Sequence, residues 1–200
     1  MYLDGIKETA LLLPDSLFYG SLLLGISTLS IQHILFFFSL IESLIGFTAL
    51  NSIFEFILGK ETQTKCRSKF HTLLYGDLFI SPSANNVSYG VYILTVAASY
   101  FIQSIYNLQS ELEVIDTSYT NIYIVGGLLA LPLVYSVFRL SLECDSLTAV
   151  FLALFFGGLI GILIQYQNVQ IFGRDSINFL GIPLLRNKAV NGQPIYICTK

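Results

Sequence analysis

Residues 16–41 read SLFYGSLLLGISTLSIQHILFFFSLI and contain no Asp, Glu, Lys or Arg, and after the single Glu42 the apolar run resumes and continues to Phe54. One helix across this whole stretch would be roughly 60 Å long, about twice the hydrocarbon thickness of a bilayer. The run must therefore break, and its only concentration of polar side chains lies in residues 27–33. The sequence predicts two membrane-spanning helices, at about 10–29 and 34–57, joined there by a tight turn.

Three further apolar stretches of the length of a membrane span follow. They lie at about 88–108, 122–138 and 147–164. The last of them gives way to the polar run Gln165-Tyr166-Gln167-Asn168, and a polar loop, residues 59–86, separates the second span from the third. The chain is thus expected to cross the bilayer five times. If the first stretch instead forms one span and one helix lying in the interface, the number of crossings falls to four.

The composition agrees with a membrane protein. Hydrophobic residues make up 54% of the chain and charged residues only 12%, whereas charged residues are about a quarter of a typical soluble domain. We therefore expect an all-α integral membrane bundle over residues 1–170, with the lipid bilayer as its main partner, and an extramembrane tail over residues 171–200. The net charge of -3 and the pI near 5.3 provide no basic surface for nucleic acid.

Residues that could carry chemistry are scarce. Cys66, Cys144 and Cys198 form no CxxC pair, so neither a structural zinc site nor a redox motif is indicated, and an odd number cannot all pair within the chain. The two histidines, His33 and His71, have no second ligand at metal spacing. The sequence contains no Ser-His-Asp pattern, phosphate-binding glycine loop or HExxH motif. We expect no enzymatic activity, no cofactor and no metal site.

Ala149, Ala153, Gly157 and Gly161 recur every four residues in the last predicted span. This spacing places small side chains on one helix face, and helices in lipid associate through such faces because their backbones can approach closely. We interpret the stripe as packing within the chain's own bundle, with contact to another subunit as the alternative. In the fourth span, Pro132 lacks the N–H that would bond to the carbonyl four residues earlier, which predicts a kink.

Glu42 lies near the middle of the second predicted span. An acid in hydrocarbon is usually protonated, paired or directed into a wet cavity, because a bare charge there is unfavourable. We interpret Glu42 as a structural acid that hydrogen-bonds to Ser39 or to a neighbouring helix, and the alternative is a relay in a proton or cation path. The acidic loop after the third span, with Glu111, Glu113 and Asp116, is interpreted as solvated, with a divalent-cation site as the alternative.

The distribution of basic residues predicts an orientation, because Lys and Arg accumulate in cytoplasmic loops. With five spans, six basic residues lie on one side of the membrane: Lys7, Lys60, Lys65, Arg67, Lys69 and Arg139. The two connecting loops of the other side hold none, so the N-terminus is expected to be cytoplasmic. Four basic residues of the tail lie on the opposite side and run against the rule: Arg174, Arg186, Lys188 and Lys200.

The tail carries a turn signal. Asn191-Gly192 separates two β-prone stretches, the second of which contains Ile195, Tyr196 and Ile197. Asn-Gly is the strongest short hairpin signal, since both residues tolerate the positive φ of a type I′ turn. A two-stranded ribbon is marginal alone. We therefore expect these residues either to dock another protein or to pack against the chain's own helices at the membrane surface.

Two parts of the chain carry a resemblance: the paired-helix start, from Ser16-Leu17-Phe18-Tyr19-Gly20 through Glu42-Ser43-Leu44, and the tail segments 177–185 and 194–198. Together they resemble small multi-spanning membrane proteins of large nucleocytoplasmic DNA viruses. The resemblance implies a minor structural protein in the internal lipid membrane beneath an icosahedral capsid, with no active site. The abundance of Ile, Leu, Phe, Tyr, Ser and Asn fits an AT-rich viral genome and equally a protist organelle genome.

The sequence therefore predicts a structural multi-pass membrane protein of a larger assembly. In its most concrete form it is a viral membrane-embedded minor capsid protein that links the internal lipid membrane of the virion to the capsid shell. Its partners would be other capsid or membrane-complex proteins, bound through the loop 59–86 and the tail 171–200. Two alternatives remain open: a viroporin-like ion or proton channel that uses Glu42, and an accessory subunit of an organellar membrane complex.

Overall fold

The computed structural model describes residues 2–59, 86–115, 118–179, 185–188 and 194–196. Six α-helices lie in these residues: α1 (Tyr2–Thr28), α2 (Ile31–Leu58), α3 (Tyr89–Asn107), α4 (Gln109–Ile115), α5 (Ser118–Ser141) and α6 (Leu147–Phe172). After α6 come a 3-10 turn (Arg174–Ile177) and two short strands, β1 (Leu185–Lys188) and β2 (Pro194–Tyr196). The predicted polar loop falls almost entirely outside the described residues.

Helices α1 and α2 form a hairpin that breaks at Leu29 and Ser30, inside the predicted segment 27–33. Leu29 has a φ of +52°, which reverses the chain direction between the two helices. Gly25 allows the helices to approach closely, because a Cβ at this position would lie 2.6 Å from Cγ1 of Ile34. The predicted break between two long helices is confirmed.

Helix α3 lies at the centre of the bundle. It contacts α1, α2, α5 and α6, and its most extensive contact is with α6. Eleven of its nineteen residues are buried, and the side chains of Tyr92, Ile93, Leu94 and Tyr100 have no exposed surface. The interior of the bundle is therefore filled by the side chains of α3 and of the helices around it.

The face of α6 that meets α3 is the predicted stripe of small residues, all four of which are buried. A Cβ added at Gly157 would lie 3.0 Å from the carbonyl oxygen of Tyr92, and one added at Gly161 would lie 2.5 Å from the carbonyl oxygen of Val96. From the first contact to the second, the residue number rises by four on α6 and by four on α3, so the two helices run parallel. The stripe thus packs within this chain, against its own central helix.

Four of the described helices include stretches that are long and apolar enough to cross a membrane. These stretches are Lys7–Thr28, Ile31–Leu58, Ile122–Ser141 and Leu147–Phe172. They correspond to four of the five predicted spans, and the remaining one, at 88–108, is the central helix α3. Helix α6 continues well beyond the predicted end of the last span at residue 164. The chain therefore has the helices of a multi-pass membrane protein.

Beyond α6, the strands β1 and β2 pair antiparallel, with Leu185 opposite Tyr196. The predicted turn residues Asn191-Gly192, and Ile197, lie outside the described residues. The hairpin as a whole, its turn chemistry and the docking role of the tail therefore stay predictions.

Candidate functional site

One end of the bundle, the Asp145 end, gathers Ser88 at the start of α3, Arg139 in the last turn of α5, and Asp145 just before α6. The side chain of Asp145 is 2% exposed. Arg139 Nε donates to its Oδ2 at 2.6 Å and Nη2 to its Oδ1 at 3.0 Å, while Ser88 Oγ donates to Oδ2 at 2.6 Å. Bidentate pairs of this kind are among the stronger polar contacts in proteins. This carboxylate therefore ties three helices together.

A second carboxyl group lies at the same end. Asp15 of α1 is 7% exposed and accepts a hydrogen bond of 2.9 Å from the hydroxyl of Tyr89. The next residue, Gly90, lies against Tyr135 of α5, because a Cβ there would be 2.6 Å from the Tyr135 hydroxyl oxygen. The first turn of α3 thus holds α1 through a hydrogen bond and α5 through a close aromatic contact.

The opposite end of the bundle, the Glu111 end, is built around Asn107, Glu111 and Arg174. Glu111 of α4 is fully buried. Arg174 Nη1 lies 2.9 Å from its Oε1, and Nη2 donates to its Oε2 at 2.9 Å. Arg174 also donates to the carbonyl of Asn107, and Ser110 Oγ donates to Glu111 Oε2 at 2.6 Å. The residues just after α6 are thereby fastened to the end of α3 and to α4.

These contacts determine the charge of Glu111. Burial by itself raises the pKa of its carboxyl group, but the hydrogen bonds from Ser110 and Arg174 and the positive charge of Arg174 outweigh burial and hold the pKa below its ordinary value. Glu111 is therefore a paired carboxylate inside the protein. The interpretation of a solvated acidic loop is wrong for this residue, while the side chains of Glu113 and Asp116 lie outside the described residues.

Amide side chains of α6 lie near the Glu111 end, deep in the bundle. Asn168 Nδ2 donates to Ser39 Oγ of α2 at 2.7 Å and to the Tyr100 hydroxyl of α3 at 2.9 Å. Gln165 is fully buried and accepts a hydrogen bond of 3.3 Å from Asn107 Nδ2. Two residues of the polar run, Gln165 and Asn168, are therefore part of the packed interior and join α2, α3 and α6, whereas Tyr166 and Gln167 are exposed.

Glu42 is half-buried on α2. The predicted hydrogen bond to Ser39 is wrong, because Ser39 Oγ donates to the carbonyl of Leu35 at 2.9 Å and accepts from Asn168 Nδ2. Among the described residues, none forms a hydrogen bond or an ion pair with the Glu42 carboxyl group. The described bundle thus provides no polar contact for the carboxyl group of Glu42.

Pro132 is buried inside α5, which runs without interruption from Ser118 to Ser141. The hydroxyl of Ser136 donates to the Pro132 carbonyl at 2.6 Å. The kink that the proline predicts stays a prediction.

Sequence reasoning missed the residues that fasten the bundle, namely Asp15, the pair Arg139 and Asp145, and the pair Glu111 and Arg174. A usable signal was present, because each is a charged residue within or beside an apolar helix, where charges need partners. The partners themselves were hidden, since Arg174 lies 63 positions from Glu111 in the chain.

Cys144 lies at the Asp145 end, where it is 3% exposed. Its sulfur is disulfide-bonded, and the partner cysteine lies outside the described residues. In the part of the chain that the structure describes, no three His, Cys, Asp or Glu side chains are grouped in a way that could hold a metal ion.

No protein-family model, curated protein or solved structure matches this chain. Its candidate site is therefore interpreted from its own residues.

Proposed function

We propose that this chain is a structural multi-pass membrane protein of a larger assembly, in which a rigid bundle anchors extramembrane segments at the membrane surface. The observation that carries the proposal is the closure of the bundle. Helix α3 fills its centre, and ion pairs fasten it at the Asp145 end and at the Glu111 end. Breaking a buried pair such as Arg139–Asp145 costs about 3–5 kcal/mol. A bundle closed in this way is suited to fixing the attached extramembrane segments at the membrane surface.

In this proposal α3 is a fifth crossing. It runs parallel to α6, and its nineteen residues span about 28 Å, close to the hydrocarbon thickness of about 30 Å. Protein replaces lipid around it, so it can carry hydroxyl groups, and those of Thr95, Ser99 and Ser104 donate to carbonyls one turn earlier. The Asp145 end and the Glu111 end then lie on opposite sides of the membrane.

The finer proposal is a membrane-embedded minor capsid protein of a virion, whose loop 59–86 and tail contact the shell. The resemblance of the sequence supports it. The position of the segment after α6 also supports it, because Arg174 binds Glu111 and the ring of Phe179 lies 5.1 Å from that of Phe101. The rest of the tail therefore starts from a fixed point at the end of the bundle.

Two truncations test this role. Deleting residues 180–200 leaves Arg174 and Phe179 in place, whereas deleting residues 173–200 removes both. We expect the shorter deletion to leave the chain inserted, as judged by resistance to alkaline extraction, and to leave its melting temperature in detergent nearly unchanged. It should nevertheless lose the shell proteins that mass spectrometry identifies with the full-length chain. The longer deletion should lower the melting temperature as well.

The outcomes separate the parts of the proposal. If the chain lacking residues 180–200 still co-purifies with the same shell proteins, the docking role of the tail is wrong. If the full-length chain co-purifies with no structural protein of a virion, the capsid role is wrong while the membrane anchor stands.

A channel is the second candidate function, and the half-buried Glu42 without a polar contact among the described residues favours it. Because α3 fills the centre of the bundle, a pore would have to form between copies of the chain, lined by the outer face of α2. The reconstituted protein would then conduct ions, and Glu42→Gln would change the current. Absence of any current above that of empty vesicles would exclude this candidate.

A further inference from the structure

Glu42 lies at the level of the membrane interior. It is within about 4 Å of the midpoint of α2, measured along the helix axis. On the outer face of α2, Phe38 and Ile45 on either side of it along the chain are 58% and 62% exposed. One turn further, a Cβ added at Gly46 would lie 3.1 Å from Cδ1 of Ile160 in α6 and 3.2 Å from the hydroxyl of Tyr92 in α3. Glu42 therefore lies on α2 between its exposed surface and the face that packs against α6 and α3.

The hydroxyl groups of α2 nearest to Glu42 are already engaged. Ser39 donates to the carbonyl of Leu35, and Ser43 donates to the carbonyl of Leu40 at 2.7 Å. No described residue elsewhere contributes a hydrogen bond or an ion pair to the acid. An acid at this depth is unfavourable without a partner. Its position at the outer edge makes it accessible to a group that comes from outside the described bundle.

The carboxyl group of Glu42 indicates which kind of group could complete it. The described helices carry no Lys or Arg near the middle of a span. Lys7 lies at the start of the first span, and Arg139 is bound to Asp145. The described helices of a second copy of this chain would therefore bring no cation to Glu42. A helix of another protein with a basic residue at mid-membrane depth would supply the complementary charge, and intramembrane charges commonly pair in this way.

We propose that Glu42 is the contact point for a transmembrane helix of a partner protein that carries Lys or Arg at the middle of its span. The inference rests on the proposed function, since it names the chemistry of a partner that the assembly holds inside the membrane.

A synthetic helix tests the proposal directly. The probe is a Leu/Ala helix of about 22 residues with a single central Lys and a fluorescent acceptor at one end. The full-length chain, with a fluorescent donor fused after residue 200, is reconstituted with it in phosphatidylcholine vesicles, and energy transfer is measured against peptide concentration. We expect half-maximal transfer at a concentration about tenfold lower than for the same helix with a central Leu, the size of one intramembrane polar contact.

Variants of the chain identify the residue responsible. Glu42→Leu should remove the preference for the Lys helix, and Glu42→Gln should reduce it. Charge reversal, Glu42→Lys, should transfer the preference to a probe with a central Glu. Phe38→Leu, one turn away on the same outer face, is the matched control and should leave the preference unchanged. Thermal unfolding in detergent verifies that each variant is folded. The comparison of the Lys helix with the Leu helix uses the wild-type chain alone, so it tests the proposal even if a variant fails to fold.

The proposal is overturned if the Lys helix binds the wild-type chain no better than the Leu helix, or if Glu42→Leu keeps the preference. Energy transfer between two labelled copies of the chain that disappears in Glu42→Leu would make a second copy the occupant, and would overturn it as well. Failure of the proposed function gives a different result from failure of this inference. The chain would then co-purify with no structural protein, but it would still prefer the Lys helix to the Leu helix.

Discussion

Helices α3 and α5 are neighbours of similar length, yet α3 is mostly buried and α5 is mostly exposed. Helix α5 includes one of the four stretches that are apolar enough to cross a bilayer, and only three residues of that stretch are buried, namely Pro132, Tyr135 and Ser136. Helix α3 is not among the four, and eleven of its nineteen residues are buried. In a membrane bundle an apolar pattern thus marks the helices that face lipid. The central helix can carry hydroxyl and aromatic side chains, because protein surrounds it.

The largest expected effect comes from separating the two helices at the Asp145 end. Asp145→Ala leaves the mostly buried Arg139 guanidinium without its carboxylate, and should lower the free energy of unfolding by about 3–5 kcal/mol. Ser141→Ala, at an exposed position in the last turn of α5, is the control and should stay within about 0.5 kcal/mol. Unfolding in detergent measures both. A loss below about 1 kcal/mol for Asp145→Ala would mean that the Asp145 carboxylate does not hold α5 to α3.

Two glycine-to-alanine substitutions compare a helix face that packs tightly against α3 with an open face of α5. A Cβ at Gly161 would lie 2.5 Å from the carbonyl oxygen of Val96, which is backbone and cannot move aside. Gly161→Ala should therefore destabilise by about 1–3 kcal/mol. Gly126 of α5 has no atom within 4 Å of an added Cβ, and Gly126→Ala should be neutral or stabilise by up to about 1 kcal/mol. Equal melting temperatures for the two variants would contradict the close contact of α6 with α3.

The polar contacts of the interior should have a smaller effect. Asn168→Ala removes the hydrogen bonds to Ser39 and Tyr100 and should cost about 1–2 kcal/mol. Gln167, the preceding residue, is an exposed amide on the same helix, and Gln167→Ala should change the stability by less than about 0.5 kcal/mol. If the two substitutions cost the same, the amide of Asn168 is not part of the contact between α2, α3 and α6.

The smallest effect concerns pH. Because the pKa of Glu111 is lowered in the folded chain, its contribution to stability is present above the ordinary carboxyl value of about 4.3 and is lost as the pH falls through the lowered pKa. The melting temperature of the wild type should therefore decline in this acidic range, and Glu111→Gln should flatten the decline. Arg174→Ala should flatten it too, since it removes the charge that lowers the pKa. An unchanged acidic decline in Glu111→Gln would exclude this carboxyl group as its source.

Local patterns in the sequence were sufficient for the existence of the long helices, but not for the short helix α4 or for the end of α6. The break within residues 27–33 and the stripe on α6 could both be predicted, because each depends on residues close together in the chain. Pairings between distant residues could not be predicted. Ser88 and Asp145 lie 57 positions apart, and nothing in either neighbourhood identifies the other.

The end of α6 shows what polar residues in a sequence leave open. The last span was placed at an end near residue 164, because the amides that follow resemble a membrane interface. In the structure Gln165 and Asn168 are buried, and the helix continues to Phe172. Their amides bond to side chains of neighbouring helices rather than to water. The sequence cannot distinguish these two environments, since both require the same residue types.

The disulfide of Cys144 has a consequence for sidedness. Disulfides persist in oxidising compartments, whereas the distribution of Lys and Arg predicts a cytoplasmic Asp145 end. The disulfide and the distribution of basic residues therefore predict opposite orientations of the chain. Reduction of the disulfide tests the orientation independently of the charge distribution. In sealed vesicles, a reductant that cannot cross the bilayer will release the Cys144 thiol only when the Asp145 end faces outward. A covalent link in the structure thereby becomes a marker of the compartment in which the protein matured.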